Sequence, residues 1–359
     1  MSTLYFVLTT GRCNLRCRYC GGSFPEKSVP WSIKYDLHML KQLIERDSDA
    51  TVAFYGGEPL LNHGFIEEVM DTVTAKRFVI QTNGLLVKEL GWSYWNKMDS
   101  VLLSIDGTKK TTDFYRGRGI YERVTETARS LRSNGFKGDL IARMAVSERS
   151  DIFNDVTHLL GLRIFDHIHW QLDAGWSDAW NDFGAWCDGV YKPGIMKLST
   201  NWLSELEMGR VQGLVPFLGI LRRIRRGGPI PPCGSGTESL SIMPDGSIRA
   251  CPISFDAGWA LVGRLSALPL SEFPKVHIAG SRGCDSCSYL RVCGGRCLYF
   301  NRESLWSSKG FAKVCEVTKF TIDRIAAMES SVNKAVAGRL IDPNELDYPK
   351  FNNSTEIIP

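Results

Sequence analysis

An α/β fold, with a parallel sheet curved into a partial (β/α)6 barrel, is what this sequence predicts. Six β-rich runs recur along the first half of the chain, helical stretches separate them, and 359 residues are too few for eight such units plus a cysteine-rich C-terminal third. The runs are Leu4–Thr9, Thr51–Tyr55, Phe78–Thr82, Val101–Ile105, Leu140–Val146 and His167–Leu172. Strands joined by helices pair in parallel, which makes the sheet a buried one. The first intervening helix is predicted over 31–46, where Leu37, Leu40, Leu43 and Ile44 share one apolar face. With 43% apolar residues the chain can bury a large core, and its length fits one large domain plus one small one.

Beyond the sixth run, residues 183–224 read as helical and connecting. They end in Arg222, Arg223, Arg225 and Arg226 before Gly227 and Gly228. Such a run invites a nucleic-acid reading, but cations favour a helix C-terminus and glycine caps it. From Cys233 the chain turns to short strands and dense cysteines. SLSIM-PDG-SIRA reads as a hairpin with Pro244, Asp245 and Gly246 at the turn. A helix is predicted after Cys315, with Val317, Phe320, Met328 and Val332 in its apolar stripe, followed by a loop or docked tail.

A balance of 43 basic and 39 acidic residues, +4 overall, argues for neither a nucleic-acid nor a membrane partner. No apolar run reaches membrane-spanning length, and the N-terminus lacks the pattern of a signal peptide, so a cytoplasmic protein is expected. Eleven cysteines in a reducing compartment are metal ligands or catalytic groups more readily than disulfides, and an odd number cannot pair completely.

The first strand runs into GRCNLRCRYC, where Cys13, Cys17 and Cys20 form a C-x3-C-x2-C loop at the C-terminal edge of the sheet. Three thiolates can hold a [4Fe-4S] cube and leave one iron without a protein ligand. A structural zinc knuckle is the competing explanation, but zinc wants a fourth ligand and no histidine stands nearby at finger spacing. The second strand ends in Gly56, Gly57, Glu58 and Pro59, the third in QTNG and the fourth in SIDG, which contains Ser104 and Asp106; Arg143 lies on the fifth. A turn after a strand would also explain GGEP. Asp106 fits a turn or helix cap as well as a functional role.

These motifs resemble the radical S-adenosylmethionine (SAM) superfamily, and QTNG and SIDG resemble its peptide-modifying branch. The YCGG and GGEP segments are also similar to those of uncharacterised archaeal peptide-modifying relatives. The resemblance implies that Cys13, Cys17 and Cys20 hold the catalytic cluster, whose open iron chelates SAM. It places Tyr19 beside the adenine and assigns the methionine ammonium to Gly56, Gly57 and Glu58. Ser104 would contact the nucleoside, and Arg143 would meet its carboxylate through a charge-assisted bond.

The remaining cysteines match a second pattern. Cys233 and Cys251 fit C-x12-G-x4-C with Gly246 in the turn; Cys284, Cys287, Cys293 and Cys297 come next as C-x2-C-x5-C-x3-C, and Cys315 closes the set. All seven resemble the SPASM domain of peptide-maturing radical enzymes. By that resemblance Cys284, Cys287, Cys293 and Cys315 ligate an outer [4Fe-4S] cluster, and Cys233, Cys251 and Cys297 an inner one, giving three clusters with SAM as cofactor. A two-zinc module is the alternative, because C-x2-C pairs are also zinc-like. The inner set has three cysteines, leaving an iron open to substrate or a noncysteine ligand. Cys187 is either the hidden fourth ligand, a hydrogen-atom donor, or a packing cysteine between aromatics. The implied organisation is a radical SAM partial barrel over 1–200, a helical connector over 201–232, a SPASM domain over 233–320 and a C-terminal helix and tail over 321–359.

The function this implies is a maturase that generates a 5'-deoxyadenosyl radical and oxidatively modifies a peptide or protein side chain, by cross-link, thioether or desaturation. A ferredoxin or flavodoxin would be the reductant. Sulfatase-maturing relatives carry an aspartate directly after the second array cysteine, where this chain has Pro252, which argues against that route. No leader-binding domain is expected ahead of the first strand, so recognition would fall to the barrel mouth, to 183–230 or to a separate recognition protein. The alternatives are radical modification of a folded metabolic enzyme and, in another class, a noncatalytic iron-sulfur sensor or assembly factor; intact GGEP and SIDG segments count against the latter.

Overall fold

A computed structural model of the chain describes residues 3–174, 180–267, 273–279 and 283–348. Six parallel strands, β1 (Leu4–Thr10), β2 (Thr51–Gly56), β3 (Arg77–Thr82), β4 (Ser100–Ser104), β5 (Asp139–Val146) and β6 (His167–Leu172), pair in sequential order. Between them run α1 (Leu37–Ile44), α2 (His63–Thr72), α3 (Trp92–Trp95), α4 (Lys109–Arg116), α5 (Ile120–Ser133) and α6 (Ile152–Leu162). Their apolar faces and the inner faces of the strands form one continuous core. The expected α/β partial barrel is the fold observed, each strand lying within a residue or so of its predicted run.

The first helix is shorter than predicted, starting at Leu37 instead of Trp31. Asp36 caps it by accepting from the His38 amide at 2.7 Å. The residues ahead of it instead cover the cysteine loop, where Gly11 donates to the Pro30 carbonyl and Phe24 to the Gly11 carbonyl.

After β6 come α7 (Phe183–Trp186), one π-turn (Cys187–Tyr191), α8 (Lys192–Glu207) and α9 (Val215–Arg226). The hairpin is present as β7 (Ser239–Ile242) and β8 (Ser247–Arg249), extended by β9 (Leu261–Arg264). In its turn Gly246 adopts φ 78° and Asp245 accepts from the Ser247 amide at 2.9 Å. The periodicity did not reveal that β7 pairs in parallel with β1, Leu4 opposite Ser239 and Val7 opposite Ile242. One nine-stranded sheet, β6-β5-β4-β3-β2-β1-β7-β8-β9, therefore runs through the molecule.

Four further helices complete the described chain: α10 (Leu290–Cys293), α11 (Leu298–Arg302), α12 (Ser307–Ala326) and α13 (Glu329–Ala337). The helix expected after Cys315 thus starts before it, so Cys315 sits mid-helix. Val317 and Val332 are buried as predicted, on two helices with Met328 between them. Residues 349–359 of the expected tail lie outside the described residues. The arginine run behaves mostly as a helix end: Gly227 caps α9 with φ 69°, and Arg222 and Arg226 pair with Asp347 at 3.4 and 3.0 Å. Arg223 is the exception, being fully buried. Among the described residues no helix is long and apolar enough to cross a membrane.

Candidate active site

The C-terminal ends of the parallel strands open onto one cavity of about 410 Å³. Cys13, Cys17 and Cys20 line it on the barrel side, and Cys233, Cys251 and Cys297 line it from the cysteine-rich side. Tyr19, Gly56, Gly57, Glu58, Ser104 and Arg143 are on its wall as well. Cys284, Cys287, Cys293 and Cys315 are not. The cavity wall thus holds Cys233, Cys251 and Cys297 and leaves out the other four array cysteines.

The cysteine loop is tied down at several points. The Cys13 amide donates to Ser23 Oγ at 2.9 Å, Cys20 and Gly21 donate to the Cys17 carbonyl, and Arg18 bonds the Tyr115 and Phe114 carbonyls. Burial pushes the Cys13 thiol up to about 11. Cys17 and Cys20 share a hydrogen bond that raises the first and lowers the second to about 6, so one thiolate forms readily and its neighbour resists. Metal ligation requires thiolates.

A single zinc ion needs its sulfurs about 2.3 Å from one point, whereas Cys13, Cys17 and Cys20 stand around the wall of one cavity. A cube takes each thiolate at a different iron, so donors spread around a common volume suit it better.

GGEP continues the strand pairing past the sheet edge. Gly57 donates to the Thr10 carbonyl at 3.1 Å and Glu58 to the Arg12 carbonyl at 2.8 Å. A Cβ on Gly56 would lie 2.3 Å from the Thr10 oxygen, and one on Gly57 2.3 Å from that of Arg12. Both glycines are thus required by the chain's own cysteine loop, whatever ligand it holds.

Glu58 is 1% exposed. Its Oε1 accepts from Thr82 Oγ1 at 2.6 Å and the Leu60 amide at 3.1 Å, while Oε2 accepts from the Asn83 amide at 2.8 Å. Burial nevertheless raises its carboxyl to about 7. A carboxylate so placed has capacity left at Oε2 and gains most from a cationic partner.

Asp106 is neither a turn nor a helix cap. It is fully buried in a two-point bond to Arg116, Oδ1–Nη2 2.7 Å and Oδ2–Nε 2.8 Å, and it accepts from the Ala145 amide and from Tyr19 Oη at 3.0 Å. The Arg116 guanidinium lies 5.5 Å from the Tyr19 ring centre. This network fixes the Tyr19 ring on the cavity wall. Ser104 and Arg143 are directly opposite each other on β4 and β5. Arg143 bonds Gln171 Oε1 and the Met144 carbonyl, which orients its guanidinium.

On the cysteine-rich side, burial raises Cys251 to about 12. Ser235 Oγ lies 3.1 Å from Cys233 Sγ and also bonds Cys251, within the cavity wall. Cys284 and Cys315 feel each other's charge, as do Cys284 and Cys287, and Asn301 Nδ2 approaches Cys284 Sγ at 3.7 Å. Cys187 does not join the inner three. It is buried, absent from the cavity wall, and its ionisable neighbours are Lys192, Asp188, Glu316 and Lys313.

Arg116 and Ser235 were missed by sequence reasoning. Arg116 lies nine residues beyond SIDG at the end of a helix, where a cation reads as a dipole partner. A serine two residues from a cysteine carries no signal of its own.

Residues 7–147 match the Radical SAM superfamily. The GTP 3',8-cyclase of Streptomyces coelicolor is 35% identical over 278 residues, covering 68% of this chain and 76% of that protein. The radical SAM cyclopropyl synthase TigE of Paramaledivibacter caminithermalis is 23% identical over 369 residues, 91% of this chain and 74% of TigE. The antilisterial bacteriocin subtilosin biosynthesis protein AlbA of Bacillus subtilis is 26% identical over 309 residues; the match takes 80% of this chain and spans 65% of AlbA. Among solved structures, anSMEcpe with bound AdoMet superimposes with a TM-score of 0.74 at 18% identity, over 95% of this chain and all of that one. The same protein with AdoMet and the Cp18Cys peptide gives 0.69 at 18% identity, over 94% and 99%. With motif, fold and relatives in agreement, this chain belongs to the radical SAM superfamily of enzymes, whose members hold a [4Fe-4S] cluster and S-adenosylmethionine.

Proposed function

We propose that this enzyme oxidatively modifies a peptide or protein side chain and carries three [4Fe-4S] clusters. The observation that carries the reading is the shared cavity, lined at once by Cys13, Cys17 and Cys20 and by Cys233, Cys251 and Cys297. The first triad would hold the catalytic cluster. Tyr19, Gly56, Gly57, Glu58, Ser104 and Arg143 would hold S-adenosylmethionine, with Glu58 and Arg143 supplying opposite charges to its ammonium and carboxylate. When bound, these groups supply reductive sulfonium cleavage and hydrogen-atom abstraction.

The inner triad would face the substrate across the cavity, with the outer four cysteines behind it as a relay toward the surface. A ferredoxin or flavodoxin would be the external partner. Pro252 faces this cavity and offers no base there, which separates the chain from the aspartate-based oxidation of sulfatases. The bacteriocin biosynthesis named for AlbA favours a peptide substrate, and the cyclopropyl synthase TigE a bond formed at carbon.

The test is anaerobic incubation of reconstituted enzyme with S-adenosylmethionine, dithionite and the small-peptide fraction of a strain lacking its gene. A peptide that loses hydrogen mass in step with 5'-deoxyadenosine release is expected. Turnover of GTP, with every peptide unchanged, would sink the reading.

A further inference from the structure

Arg223, in the last turn of α9, is 0% exposed. Its guanidinium donates from Nε to the Val292 carbonyl at 2.5 Å, from Nη2 to Arg291 at 3.1 Å and from Nη1 to Pro229 at 3.0 Å. All three acceptors are neutral, and among the described residues no carboxylate bonds to it. Burying a cation with no carboxylate bonded to it is unfavourable, and the Glu238 carboxylate acts on this one only through space. Hydrogen bonds to carbonyls offset only part of that.

The surroundings are shaped for this group. A Cβ on Gly228 would lie 2.7 Å from Nη1, and one on Gly294 would lie 2.9 Å from Nη2. The site also joins the two auxiliary cysteine sets. Its acceptors Arg291 and Val292 directly precede Cys293, and Pro232, directly before Cys233, packs beside Arg223 over Gly294. Burial, with the neighbouring Arg222 charge, pulls the Arg223 pKa down to about 10, against which the charges of Cys293, then Cys233 and Glu238 act. It stays protonated at neutral pH.

We propose that Arg223 is the counter-charge shared by the outer and inner auxiliary clusters, a positioning residue whose fixed cation raises the reduction potential of both. This rests on the assignment of two clusters to the seven array cysteines. Each cluster that gains an electron becomes one unit more negative without taking up a proton, and a cation held between them stabilises that reduced state. Two of its hydrogen bonds, to Arg291 and Val292, also fix the turn that presents Cys293. A merely structural arginine would have that second effect alone.

The experiment compares wild type, Arg223→Gln and Arg223→Lys, each full length and anaerobically reconstituted, by iron content and by redox titration monitored by electron paramagnetic resonance. Glutamine keeps an amide donor and loses the charge; lysine keeps the charge and loses the fork. Lower auxiliary potentials in the glutamine variant are expected, with the lysine variant close to wild type and the N-terminal cluster unmoved. Wild-type potentials in the glutamine variant, or equal shifts in both variants, would overturn the proposal. If the glutamine variant holds no auxiliary iron, the lysine variant decides: full auxiliary iron at wild-type potential supports the proposal, and its loss overturns it. Wild type that binds only about four irons defeats the cluster assignment itself, and this proposal with it.

Discussion

The two walls of the cavity are stabilised differently. On the barrel wall the buried carboxylates have internal partners: Asp106 has Arg116, Tyr19 and a backbone amide, and Glu58 has three donors. Behind the cysteine-rich wall several elements are short, β8 having three residues and α10 four, and the guanidinium of Arg223 bonds only carbonyls. The barrel wall is therefore organised before any cofactor arrives, whereas the other depends on what its thiolates bind. Small modules of this kind draw folding free energy from their metal.

The strongest test separates the walls by chemistry. Replacing Cys13, Cys17 and Cys20 together by alanine should remove about four of some twelve irons and abolish 5'-deoxyadenosine formation. Removing Cys284, Cys287, Cys293 and Cys315 should also cost about four irons yet leave slow uncoupled release of the nucleoside with dithionite. Equal loss of release in both variants would erase the distinction.

Stability should respond next. Asp106→Ala leaves Arg116 buried without its carboxylate, and breaking such a pair costs about 3–5 kcal/mol in denaturant unfolding. A loss below about 1 kcal/mol, typical of exposed pairs, would mean that the network is not the barrel wall's anchor.

Iron removal should then act on one wall only. Amides of α10, α11 and α12 should exchange faster by about 100-fold after anaerobic chelation, the equivalent of losing a ligand held about 100-fold above its Kd, or about 2.7 kcal/mol. Amides of β1 to β6 should barely change. Uniform acceleration would contradict a pre-organised barrel.

The smallest effect concerns pH. With its carboxyl raised to about 7, Glu58 is largely protonated below that pH and ionised above it. A ligand ammonium favours the ionised form, so S-adenosylmethionine affinity should rise as pH increases through about 7 and level off above it. Without ligand the sign reverses: the buried charge costs stability that is absent below the ordinary carboxylate range and reaches its full value above about 7. Glu58→Gln should weaken binding by about tenfold, about 1.4 kcal/mol, and flatten the profile. Equilibrium dialysis across pH 5.5 to 8.5, on the order of one unit either side of the midpoint, checks both. An unchanged slope would assign GGEP to the cysteine loop alone.

Much of this was legible in the sequence because it is local. The six strands arise from runs of β-formers, and the cysteine sets from spacings within a few residues of each other. Partners distant in sequence were not legible. Arg223 meets carbonyls 68 and 69 residues away, and Asp106 meets Tyr19 across 87. The parallel pairing of β7 with β1 joins residues more than two hundred positions apart and leaves no periodic trace. Glu58 was legible as a candidate, whereas its bonds to Thr82 and Asn83 required the third strand to be in place. The start of α12 was misread because Cys315 looked like a boundary, although a helix can carry a cysteine mid-length.

The β1–β7 pairing also bears on how such an enzyme can diversify. The strand that ends in the cysteine loop and the strand just beyond Cys233 are locked side by side, residue against residue. The separation of the two cysteine triads is then held by sheet register, whatever the length of the intervening chain. Helices α7 to α9 can lengthen, shorten or turn over in composition while that separation stays constant.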